Sequence, residues 1–151
     1  MGRVLGIDYG DKRIGLAISD TTKMLARPLQ VVPMSPDFPD FLRKLVADEE
    51  IDQVIMGWPL RMDGTVGAKA LQVLQFKEKI EKHCGIAVEL WDERLTTVQA
   101  ENLLREAGIS LRKRDGKVDP AAAQVLLQSY LDHLGRKEHE VGGLPGPGGT
   151  P

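Results

Sequence analysis

Apolar and polar positions change their period several times along this chain, and each change marks an element. Residues 3–9 (Arg-Val-Leu-Gly-Ile-Asp-Tyr) and 13–19 (Arg-Ile-Gly-Leu-Ala-Ile-Ser) are apolar-rich runs either side of Gly10-Asp11-Lys12. That punctuation predicts two strands joined in a hairpin. A third strand is expected at 26–32. Ser35-Pro36 then predicts a helix start, with serine as cap and proline at the first helical position. Phe38, Phe41, Leu42, Leu45 and Val46 follow at the i, i+3, i+4, i+7, i+8 spacing of a buried helical stripe. A short buried strand is expected at 53–57, a loop from Trp58 to Val66 holding Pro59 and Gly64, a helix from about 67 to 83, and a strand at 86–91. Thr96 with Gln99 forms a capping box for a helix that places Ala100, Leu103, Leu104 and Ala107 on one side and ends at Gly108. Asp119-Pro120 opens the last helix, expected to run to about Leu134.

The order is thus βββαβαβαα. Three consecutive strands suit an antiparallel meander, and two later strands that each follow a helix suit parallel additions. The expectation is an α/β fold with a mixed five-stranded sheet flanked by helices. Composition agrees with one domain: 151 residues, 42% of them hydrophobic. Residues 1–135 are assigned to it and 136–151 to a disordered tail, because the final ten residues hold five Gly and three Pro. No run of 18 apolar residues is present, so no membrane-spanning helix and no membrane partner are expected. An acid at position 8 comes too early for a secretory signal. A single cysteine, Cys84, fits a reducing cytoplasm and, with His83, His133 and His139 scattered, makes no zinc site. The net charge of −2 is no global nucleic-acid footprint, so such a function must rest on local basic patches.

The chemistry concentrates in three acids. Asp8 ends the first strand, at the edge where ligands of α/β sheets gather; it is either a turn-forming aspartate or a buried charge that a cation compensates. Asp92-Glu93-Arg94 follows the strand ending at Trp91, and is either a solvated loop, an Arg94 salt bridge or a second pair of acids at a strand's carboxyl end. Asp119 before Pro120 suits a helix cap, a role that leaves one oxygen to face a metal. Together the three can lie along one sheet edge. Oxygen-only donors suit Mg²⁺ or Mn²⁺ rather than zinc, and such ions support phosphodiester hydrolysis without a His or Lys base. Arg112, Lys113, Arg114 and Lys117 form a cationic loop directly before Asp119, and Arg13, Arg61 and Arg94 are further candidates for holding a phosphate backbone. The Gly57-Trp58-Pro59 loop is either a place for close backbone approach or a tight turn.

Four segments in order resemble the YqgF family, also called RuvX or Holliday-junction-resolvase-like proteins. They are Gly6-Ile7-Asp8-Tyr9-Gly10 with Arg13 to Ala17 and Ser19-Asp20; Gly57-Trp58-Pro59-Leu60 with Gly64; Asp92-Glu93-Arg94-Leu95-Thr96-Thr97; and Lys117-Val118-Asp119 with Ala122-Ala123. The resemblance spans about residues 3–134. It implies a ribonuclease H-like fold and a cytoplasmic bacterial nuclease that processes the 5′ end of pre-16S ribosomal RNA in ribosome biogenesis. An older assignment in the family is Holliday junction resolution. The resemblance also implies that Asp8, Glu93 and Asp119 are catalytic acids that bind Mg²⁺ or Mn²⁺. The expected partners are nucleic acid, either pre-rRNA or branched DNA, and the assembling ribosome, with the protein a monomer or homodimer. One departure stands out: ribonuclease H-like nucleases often carry an acid at the end of the fourth strand, and here that strand ends in Gly57-Trp58-Pro59. With a sheet order of 3-2-1-4-5, strands one and five are two spacings apart, roughly 10 Å. The longer Glu93 is then the better ligand than Asp92. A DNA resolvase and a non-catalytic nucleic-acid-binding assembly factor are the competing readings.

Overall fold

The computed structural model describes residues 2–95, 102, 105–106 and 120–143, with side chains of the last segment described for 121–135. The helix expected from Thr96 to Gly108, the basic loop with Arg112, Lys113, Arg114 and Lys117, and Asp119 lie outside the described residues as structural elements. The elements are β1 (Arg3–Tyr9), β2 (Arg13–Ser19), β3 (Ala26–Pro33), α1 (Phe38–Asp48), β4 (Ile51–Trp58), α2 (Ala68–Cys84), β5 (Val88–Asp92), a single 3-10 turn (Glu93–Leu95) and α3 (Pro120–Gly143).

The five strands form one sheet in the order β3-β2-β1-β4-β5. β1–β2 and β2–β3 pair antiparallel; β1–β4 and β4–β5 pair parallel. This is the mixed α/β arrangement the element order predicts. Because side chains alternate along a strand, each strand feeds two cores. Leu5, Ile7, Ile14, Leu16, Ile18, Val54, Met56 and Val88 pack with Phe38, Leu42, Val73 and Ile80 of α1 and α2. Val4, Ala17, Ile55 and Trp91 pack on the other face with Ala123, Leu126, Leu127, Tyr130 and Leu131 of α3. The buried Ser19 hydroxyl locks the meander: it accepts the Val4 N–H at 2.8 Å and donates to the Asp20 carbonyl at 2.8 Å.

β4 extends to Trp58 and β5 to Asp92, each one residue past its expected end, and two helix boundaries shift further. The first helix begins at Phe38, with Asp37 as its flanking residue and no side-chain cap, rather than at Pro36 with Ser35 as cap. Ser35 Oγ instead accepts the Asp37 N–H at 3.0 Å in a turn ahead of the helix. Pro39 explains the delay. A helix begun at Pro36 would need an N–H at position 39 for its first internal hydrogen bond, and proline has none. Begun at Phe38, the helix places Pro39 in its first turn, where no N–H is needed. The last helix continues past Leu134 to Gly143, so residues 136–143 are helical rather than part of a tail that begins at Arg136. Arg136 to Val141 contain neither Gly nor Pro, and the stretch is rich in good helix formers.

The seat of α3 on the sheet is close. A Cβ built on Gly6 would lie 2.9 Å from Leu127 Cβ and 3.6 Å from the Ala123 carbonyl oxygen. Gly6→Ala is therefore expected to force α3 off β1 and destabilise the fold by about 1–3 kcal/mol, read as a lowered denaturation midpoint. An unchanged midpoint would mean the helix yields freely. Tyr130, buried on the sheet-facing side of α3, receives a hydrogen bond from Gln53 Nε2 and donates to Glu89 Oε1 at 3.1 Å. Burial, then the charge of Glu89, pushes its phenol up to about 12. Burial, then Asp11, also raises Tyr9. The folded state holds these protons more tightly than the unfolded chain, so their contribution to stability is full below pH 10 and is lost as pH rises through the raised values, about 12 for Tyr130. Ultraviolet titration should show Tyr130 ionising near 12 and Tyr9 above the ordinary value of 10 while the protein is folded.

Candidate active site

The period of two along β1 places Val4, Gly6 and Asp8 on the face covered by α3. Asp8 is 6% exposed, at the carboxyl end of the strand. Its neighbours across the sheet on that face bring no side chain. On β2 its partner is Gly15. On β4, one residue beyond the Ile7–Met56 pair, comes Gly57. Ladder pairing of Gly57 with Trp91 continues the same face onto β5, where Glu93 follows in the 3-10 turn.

The Glu93 side chain folds back over β4. A Cβ built on Gly57 would lie 2.5 Å from Glu93 Oε2 and 3.2 Å from Glu93 Cδ, with Leu126 Cδ2 at 3.1 Å. The carboxylate thus lies against the backbone of the strand next to the one that carries Asp8. The gap between β1 and β5 closes through the reach of the longer acid, on a stretch of sheet where no side chain intervenes.

Asp92 goes elsewhere. It pairs in the ladder with Trp58, on the face opposite α3. Its Oδ2 receives Arg94 Nη2 at 2.6 Å and its Oδ1 receives the Arg94 N–H at 2.9 Å. The bonded guanidinium holds the Asp92 carboxyl below its ordinary value and raises Arg94 in return. Arg94 Nη1 also donates to the Met62 carbonyl at 3.3 Å. Of the three sequence readings of Asp92-Glu93-Arg94, the salt bridge holds for Asp92 and Arg94, while Glu93 is turned toward Asp8's face.

The basic candidates divide similarly. Arg13 is exposed and opens β2, and alternation puts it on the face of Gly15 and so of Asp8. Arg61 is exposed in the loop between β4 and α2. That loop is closed by Arg61 N–H to the Thr65 carbonyl at 3.0 Å and Gly64 N–H to the Arg61 carbonyl at 2.8 Å, and Gly64 takes φ +87°, which favours glycine. Arg61 Nε would stand 2.9 Å from a Cβ on Gly67, the residue that caps α2. Arg112, Lys113, Arg114, Lys117 and Asp119 lie outside the described residues. Asp119 directly precedes Pro120, where α3 begins. Since Leu126 meets Gly57 and Tyr130 meets Gln53, α3 runs antiparallel to β4 and begins at the edge that holds Asp8. The close approach of Glu93 to Gly57 was not read from the sequence.

Comparison with known proteins identifies the fold and the family. The sequence profile described as "RuvX: Holliday junction resolvase" matches residues 2–133. A protein of Syntrophus aciditrophicus named "Putative pre-16S rRNA nuclease" is 41% identical over 138 residues, 90% of this chain and 92% of its own. One of the same name from Halothermothrix orenii is 40% identical over 133 residues, 87% of this chain and 95% of its own. Among solved structures, T. thermophilus RuvC in complex with a Holliday junction substrate superposes with a TM-score of 0.57 at 17% identity, covering 90% of this chain and 96% of RuvC. Fowlpox virus resolvase gives 0.50 at 16% identity, covering 87% and 98%. These likenesses carry the fold, which is ribonuclease H-like. With a profile match over nearly the whole described core and relatives near 40% identity, the chain belongs to the RuvX family of Holliday junction resolvases.

Proposed function

We propose that the protein is a nuclease that hydrolyses phosphodiester bonds with Mg²⁺ or Mn²⁺ held by Asp8, Glu93 and Asp119, and that it processes the 5′ end of the 16S ribosomal RNA precursor in the cytoplasm. The observation that carries the reading is the convergence of Asp8 and Glu93 on one face of the sheet, across the bare backbone of Gly57. The donor set fits a hard divalent cation, being carboxylate oxygen from β1 and from the turn after β5, with Asp8 almost wholly buried. Among the described residues no three His, Cys, Asp or Glu could hold a metal; the third acid of the proposal is Asp119, which precedes α3 in sequence. When bound, such ions acidify water and neutralise charge on the reacting phosphate.

The chain's own residues do the rest. Asp8 is held rigidly by the central strand of the sheet, and Glu93 is held by its crossing of β4. Arg13 and Arg61 are exposed cations of the same edge, suited to phosphate oxygens. Arg94, tied to Asp92 and to the Met62 carbonyl, fastens the loop that presents Arg61. Arg112, Lys113, Arg114 and Lys117 are proposed to extend the cationic surface. The relatives' names support precursor rRNA as the substrate, and contacts of this kind read a phosphate backbone rather than bases.

The test incubates purified protein with a pre-16S fragment and with a four-way DNA junction, with and without each metal. Metal-dependent cleavage of the RNA fragment is expected. Cleavage of the junction alone would instead assign the chain to DNA resolution, and cleavage of neither would favour a non-catalytic assembly factor. Asp8→Asn should lower cleavage by at least about a hundredfold, since outer-shell partners of metal ligands alone cost 10–100-fold, while the circular dichroism spectrum stays that of the parent. Undiminished cleavage by this variant would sink the mechanism.

A further inference from the structure

β4 lies between the two strands that deliver Asp8 and Glu93, and it contributes no acid of its own at this edge. Its residue there is Gly57, and the space above Gly57 is taken. The distances of 2.5 Å to Glu93 Oε2 and 3.2 Å to Glu93 Cδ from a Cβ placed on Gly57 are shorter than van der Waals contact. The Glu93 carboxylate therefore fills the volume that any side chain at position 57 would need. Glu93 leaves the chain one residue after β5 ends. Without the crossing, its backbone is two strand spacings from β1, about 10 Å. With the carboxylate over β4, one spacing remains.

Gly57 has no conformational reason to be glycine: it lies within β4, pairs with Trp91 of β5 and does not take a positive φ. A glycine inside a strand weakens it and marks close approach by another group. Two groups approach here, the end of a flexible side chain (Glu93) and Leu126 of α3 at 3.1 Å. The first can swing away at little cost to the fold. The second presses on packing.

We propose that Gly57 is a positioning residue for the second metal-binding carboxylate: its bare backbone admits Glu93 to the Asp8 side of β4, and even a methyl group there displaces it. The inference rests on the reading of Asp8 and Glu93 as metal ligands. It explains how this chain manages without an acid at the end of its fourth strand. The acid comes from the fifth strand and is lodged over the fourth.

The test is Mn²⁺ binding to the substrate-free full chain, measured by calorimetry for the parent, Gly57→Ala, Glu93→Gln and the double variant. Gly57→Ala is expected to weaken Mn²⁺ about tenfold or more, by analogy with the loss of a ligand's orienting partner. In the Glu93→Gln background the same change should have little further effect, because the group it displaces has already lost its charge; contacts that act as a unit are non-additive in such a cycle. Leu126→Ala removes the packing conflict, so the cycle is repeated in that background, which also serves if Gly57→Ala alone fails to fold. Parent-like Mn²⁺ affinity in Gly57→Ala, or an equal loss with and without the Glu93 carboxylate, overturns the proposal and leaves the ligand assignment standing. Unchanged affinity in Glu93→Gln overturns the ligand assignment, and the positioning role with it.

Discussion

The seating of α3 on the central strands governs the geometry of this molecule. At Gly6 the helix lies so near that no Cβ fits beneath Leu127, and at Gly57 Leu126 presses on the strand from the same helix. A helix at this distance buries Ala123, Leu127 and Tyr130 against Val4, Ile55 and Trp91 and directs its first turn at the edge where β1 ends. Glycine at two places on β1 and β4 thus does two jobs. One lets the helix close on the sheet; the other leaves room for a carboxylate. Both follow from the absence of a single carbon.

The electrostatics of the edge follow from the strand period. Asp92 and Glu93 are adjacent in sequence yet meet different surroundings. Asp92 is paired in the ladder with Trp58 and faces away from α3, where Arg94 takes it. Glu93, in the turn after the strand, comes round to the other face. A three-residue run of charges is thereby divided between an ion pair and an acid turned to the face of Asp8. The ion pair has a use of its own: through the Met62 carbonyl it ties the β4–α2 loop to the end of β5, and that loop carries Arg61.

Much of this was legible beforehand. The bounds of β1 and β2 follow directly from the apolar runs and the Gly10-Asp11-Lys12 turn, because a hairpin is specified by local residues alone. The antiparallel and parallel pairings follow from three consecutive strands and two later ones that each follow a helix. The start of α1 was misjudged by reading Ser35-Pro36 as the cap when a second proline, Pro39, forbids it. The end of α3 was placed too early by weighing the Gly and Pro of the last ten residues over the helix formers before them. Glu93 was preferred to Asp92 for its side-chain length alone; ladder register, which turns Asp92 to the opposite face, did not enter that choice.

By itself, the sequence determined most of the described elements, the mixed sheet and which acids are candidates, since these rest on local turn chemistry, apolar period and residue type. Only the tertiary structure decided which acid of the Asp92-Glu93 pair turns toward Asp8, and over what. That depends on ladder register, which sets the face each residue takes, and on the empty volume above Gly57. Neither is a property of a residue or its neighbours in sequence. Both arise when strands distant in the chain are laid side by side and a helix is closed over them.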